Sequence, residues 1–157
     1  MSKDIIGSRL EGSTLVVETG EGETHYDCRF LVAALLIYVA RGSGSIASEE
    51  SGKMIELIEE HFQMEGSESL ELLTYAMSEL ADKPSLGKLL VELGPRLSDN
   101  EKESIALMAL KVVAADGTRQ YAELEQFNRA MEALGISPDT VHRAFDRYFA
   151  ETMPGGN

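Results

Sequence analysis

Residues 30–40 form an unbroken run of 11 apolar side chains, the longest in the chain, and this run constrains the fold more than any other feature. It sits inside a stretch, residues 27–41, that reads as one helix, apolar almost all round. A helix with no polar face must be covered on every side, so the pattern predicts a central helix wrapped by others. The run is too short to cross a bilayer, which needs about 20 residues. It also starts too far into the chain, behind acidic residues, to be a signal peptide. The chain is therefore expected in the cytoplasm.

Helical signals continue to the end of the chain. Ser48 reads as an N-cap, with Glu49 and Glu50 in the first turn, where the helix dipole favours carboxylates. Met54, Leu57, Ile58 and His61 form the face of this second helix. After Gly66, Ser67 or Ser69 is expected to cap a third, with Leu72, Tyr75, Ala76 and Leu80 as its stripe. Pro84-Ser85 opens a short fourth helix with Leu86, Leu89, Leu90 and Leu93 inward, ended by Gly94-Pro95. Ser98 and Glu101 have the spacing of a capping box. They open a fifth helix whose middle is again apolar nearly all round, with Ile105, Met108, Ala109 and Val112 in register. A sixth helix covers residues 122–134, with Phe127, Met131 and Leu134 inward and Gly135 as its stop. Ser137-Pro138, an N-cap followed by proline at the first helical position, opens a seventh that runs to Thr152.

The expected fold is all-α: a compact bundle of about seven helices over residues 26–152. Residues 153–157 form a fraying tail. Residues 1–25 differ in composition and read as a short N-terminal arm, either irregular and partly disordered or a small β-hairpin. The hairpin would pair Thr14–Thr19 with residues 23–26 across Gly20-Glu21-Gly22.

The two apolar helices belong to a degenerate repeat. Val39 and Val112, Gly44 and Gly117, and Glu50 and Glu123 are each 73 residues apart. Each copy is a buried helix, a glycine turn and an acidic first turn of an amphipathic helix. Packing the two buried helices together predicts a duplicated helical hairpin at the core. Chance recurrence of glycine stops and glutamate starts is the competing explanation.

At these residues the chain resembles the TerB family, named for a tellurite-resistance protein, with its broad set of relatives. The first segment is Val39-Ala40-Arg41-Gly42-Ser43-Gly44-Ser45-Ile46-Ala47-Ser48-Glu49-Glu50, and the second is Ala115-Asp116-Gly117 followed by Glu123. The resemblance implies a compact all-helical fold, a non-catalytic role tied to stress response, and acidic residues that hold a divalent cation. It also implies protein partners, some membrane-associated, so peripheral membrane association could arise through them. One departure bears on the cation: Ser43 stands where the family carries Asp.

The residues themselves leave two readings of the acidic positions. Asp116-Gly117 and Glu123 match positions five, six and twelve of an EF-hand loop, but Val112 and Ala114 fall where oxygen ligands belong, so this is no EF-hand. A low-affinity calcium or magnesium site could still form if the free carbonyls that end the fifth helix joined Asp116 and Glu123, with Glu49 and Glu50 contributed across a pseudo-twofold. Alternatively Asp116-Gly117 is a turn and Glu123 a cap.

Other chemistry finds no support. The excess of 27 acidic over 14 basic side chains opposes nucleic-acid binding. His25, His61 and His142 lack zinc-ligand spacing. No nucleophile elbow, catalytic triad or phosphate loop is present. The single cysteine, Cys28, lies in apolar surroundings and reads as a buried thiol. The functional expectation is a non-enzymatic TerB-like binding domain with a weak or vestigial cation site. The alternative is a metal-independent protein–protein interaction adaptor.

Overall fold

The structure is a computed structural model that describes residues 5–41, 46, 48–82, 86–115 and 121–152. Ser43, Gly44, Asp116 and Gly117 of the repeat lie outside the described residues, as do residues 83–85 and 153–157.

The N-terminal segment corrects the all-α expectation. It is neither irregular nor a single hairpin but a three-stranded antiparallel sheet, β1 (Ile5–Glu11), β2 (Thr14–Thr19) and β3 (Gly22–Asp27), in the order β1-β2-β3. The expected hairpin of β2 and β3 is present, but Gly22 belongs to β3 and stands opposite Thr19, so the turn is Gly20-Glu21 alone. The unforeseen strand is β1, joined to β2 by the two-residue loop Gly12-Ser13, with Glu11 opposite Thr14. Gly12 has φ +62°, the left-handed conformation that tight hairpin loops require. Leu15 and Val17 enter the main hydrophobic core. Val16, on the other face, is buried between its cross-strand neighbours Arg9 and His25, with Arg9 ion-paired to Glu11 and Glu23. A lone sheet of this size is marginal in water, and packing of one face on helices stabilises it. Polar ties add to that packing: Arg96 Nη2 donates to Ser8 O, and Ser8 Oγ donates to Glu92 Oε1.

Among the described residues seven α-helices follow: α1 (Cys28–Ala40), α2 (Ser48–Phe62), α3 (Gly66–Asp82), α4 (Leu86–Leu93), α5 (Asp99–Ala114), α6 (Tyr121–Leu134) and α7 (Pro138–Thr152). Asp27 caps α1 by accepting the Arg29 amide at 2.8 Å. The Ser98–Glu101 capping box is formed as expected. Gly135 at φ +68° and Ile136 close α6: the Gly135 amide donates to Glu132 O and the Ile136 amide to Met131 O.

As the apolar patterns predict, α1 is central. It packs on α2, α3, α4, α5 and α6, and from residue 30 to Ala40 only Tyr38 is not fully buried. The second apolar helix, α5, packs against it, and each hairpin's outer helix touches the other hairpin's inner one: α2 meets α5 and α6 meets α1. The two hairpins therefore interlock. Helix α7 lies along α5, tied by Lys111 to Glu151 and by Glu103 to Arg143 and Arg147.

Several local readings need correction. Ser48 is the first helical residue of α2 and not its N-cap. Neither Ser67 nor Ser69 caps α3. The Ser69 amide donates to Glu65 O, Glu65 therefore sits at the N-cap position, and the Glu68 carboxylate accepts the Glu65 amide. Ser69 is buried because its hydroxyl donates to Ile55 O at 2.9 Å, tying α3 to α2. The α3 face on the core is Ser69, Leu73 and Ala76, with Leu72 packed beside it as expected; Tyr75 is 57% exposed, and the Leu80 side chain lies outside the described residues. His61 stays largely exposed beside Phe62, with desolvation pushing its pKa below the ordinary value. Cys28 is only half-buried. Desolvation, with Asp27 and Glu101 nearby, raises its pKa, opposite to what a nucleophilic thiolate needs.

Helix α2 ends in a glycine-type motif without glycine. Gln63 has φ +53° while the Met64 amide donates to Glu59 O at 3.0 Å. A side chain in the left-handed region is strained by about 1 kcal/mol. Gln63→Gly should therefore raise stability, by about 0.5–1 kcal/mol. Urea melts check this: an unchanged or lower midpoint would show that Gln63 sits there without strain.

The Glu103 clamp makes a pH prediction. Its carboxylate accepts Arg143 Nε at 2.9 Å and Arg147 Nη1 at 3.1 Å. These bonds, Arg143 first, hold its pKa below the ordinary 4.5. A carboxyl depressed in the folded state stabilises above its unfolded pKa, and the contribution is lost as pH falls through the folded value. Parent and Glu103→Gln melting temperatures should thus differ at pH 7 and converge towards pH 3. A gap that stays constant with pH would mean the charge is not what α7 uses.

Candidate functional site

Two carboxylates stand out from a surface otherwise rich in solvated acid. Glu50 is 1% exposed and Glu123 is 0% exposed. Each is the third residue of its helix, α2 and α6, and they occupy equivalent places in the 73-residue repeat. Burying a carboxylate is costly unless donors or a cation compensate it. The first turn of a helix supplies such compensation, since its amides lack intrahelical partners and its dipole favours negative charge. The third helical position is also where a capping-box glutamate reaches back to the N-cap amide, as Glu101 does at the start of α5. Glu101 does so in solvent; Glu50 and Glu123 are held inside.

The interlocked hairpins set the neighbourhood of this pair. Gln126, one turn beyond Glu123, donates its Nε2 to Tyr38 O at 3.5 Å and joins the N-terminal half of α6 to the last turn of α1. Helix α1 ends there at Arg41, whose amide bonds Ile37 O and Val39 O. Sequence reasoning named the carbonyl end of the fifth helix as a partner for the acids. The approach of α6 to the carbonyl end of α1 was not foreseen, and it follows from the reciprocal packing of the repeat.

Of the four residues expected at a cation site, Glu50 and Glu123 are buried at equivalent positions, Glu49 is exposed, and Asp116 lies outside the described residues. Among the described residues no group of three or more His, Cys, Asp or Glu side chains could hold a metal ion. The donor chemistry, hard carboxylate oxygens, suits calcium or magnesium; the number of donors falls short of the six to eight that calcium takes. No helix of the described residues is long and apolar enough to cross a membrane.

Interlocked apolar-centred hairpins with a repeated acidic first turn define a helical domain of the tellurite-resistance type. The family model described as tellurite resistance protein TerB matches residues 29–146, most of the chain, and the chain belongs to the TerB family. The match begins within α1 and leaves the three-stranded sheet outside it. No curated protein matches the chain. No solved structure does either.

Proposed function

We propose that this chain is a non-enzymatic, cytoplasmic binding domain associated with stress response. In this reading Glu50 and Glu123, with Asp116 and the exposed Glu49, hold a weakly bound divalent cation, calcium or magnesium, and the domain serves a protein partner. The observation that carries it is the burial of Glu50 and Glu123 at equivalent first-turn positions of the two hairpins. Carboxylates at these positions offer a divalent cation the hard oxygen ligands it prefers. The stress association rests on the family's description alone. The net charge of −13 speaks against nucleic acid and for a cation or a basic partner surface. Contact with membranes would come through the partner.

Few fixed carboxylates imply low affinity, about 10⁻⁴–10⁻³ M for calcium. With a dissociation constant near 1 mM, 10 mM calcium stabilises by RT ln 11, about 1.4 kcal/mol, or roughly 3–6 °C in melting temperature. The experiment compares thermal melts in calcium, in magnesium and in sodium at equal ionic strength, for the parent and for the Asp116→Asn, Glu123→Gln double variant. Sodium controls for general screening of the net charge. The parent should gain with calcium over sodium, and the variant should not. Equal gains in calcium and sodium, or in parent and variant, would reject the cation site. The metal-independent adaptor then takes its place.

A further inference from the structure

We draw no further inference here: the strongest candidate, the shallow apolar crevice between α5, α6 and α7 lined by Leu110, Val113, Leu124, Phe145 and Tyr148, is an apolar face, and nothing in the structure shows what covers it.

Discussion

Ala34→Asp and Ala109→Asp should each destabilise the protein by about 3–5 kcal/mol, the largest single-site effects expected in this fold. Both alanines have no solvent exposure, one on each of the two apolar helices that pack together at the centre. The new carboxyl would enter the main hydrophobic core, to which both helices contribute their apolar side chains. For a chain of this length the loss corresponds to a fall of roughly 6–20 °C in melting temperature. Overpacking alone would also destabilise, so the pH dependence matters. A buried carboxyl has a raised folded-state pKa, and the unfolded chain sheds the proton first as pH rises. The deficit of the Asp variants should therefore grow from pH 4 towards neutrality, while that of Ala34→Asn should stay flat. Ala122→Asp, on the exposed side of the first turn of α6, should change stability by no more than about 0.5 kcal/mol. If Ala34→Asp melts like Ala122→Asp, α1 is not the central helix.

The helical part of the fold was legible because its determinants are local. The capping box at Ser98 and Glu101 and the Ser137-Pro138 start act over three or four residues, and the apolar runs of α1 and α5 declare burial on every side. Strand β1 was not legible for the opposite reason. Ile6 is 70% exposed and Leu10 is exposed as well, so the strand carries no buried alternation to detect. Its place is set by pairing with β2 and by Ser8 meeting Glu92 and Arg96, more than 80 residues away in sequence. The one local signal was the pair Gly12-Ser13, a suitable two-residue hairpin loop.

Helix α3 shows how composition misleads about register. Tyr75 reads as a core residue because it is large and apolar, and Ser69 reads as a cap because serine so often is one. In the fold Ser69 is inside, its hydroxyl satisfied by Ile55 O, and Tyr75 covers Phe30 from the surface with ring centroids 5.4 Å apart. A buried hydroxyl is tolerated once it is bonded, and that partner lies on another helix. The acidic pair was half legible. The constant 73-residue spacing picks out Glu50 and Glu123, and helical periodicity sets them apart from the exposed Glu49: each lies four and seven residues before buried apolar side chains, Met54 and Leu57 for Glu50, Phe127 and Ala130 for Glu123. The sequence reading used the acidity of these positions and not their place on the inward face.

Gly94→Ala should be the most damaging substitution among the glycines. From sequence, Gly94-Pro95 is a helix stop, and the chain does pass there from α4 into a single 3-10 turn, Gly94–Arg96. The tertiary reason for glycine is different. A Cβ at residue 94 would lie 2.1 Å from Leu134 O and 2.7 Å from Leu134 C, which are backbone atoms at the end of α6. Leu134 cannot retreat easily, because the amides of Gly135 and Ile136 bond back into the last turn and Ile136 is buried. Alanine must therefore force α4 and α6 apart, an overpacking cost of about 1–3 kcal/mol or more. Intrinsic propensity pulls the other way, since alanine is the better helix former by about 1 kcal/mol. Gly87 isolates that term: it lies in α4, and a Cβ there meets nothing within 4 Å. Gly87→Ala should accordingly stabilise by about 0.5–1 kcal/mol while Gly94→Ala destabilises, an opposition of sign within one short segment. Urea unfolding of the two variants measures both midpoints. Should Gly94→Ala prove as stable as Gly87→Ala, the close approach of the α4 terminus to Leu134 is not present in solution, and glycine at 94 serves only to end the helix.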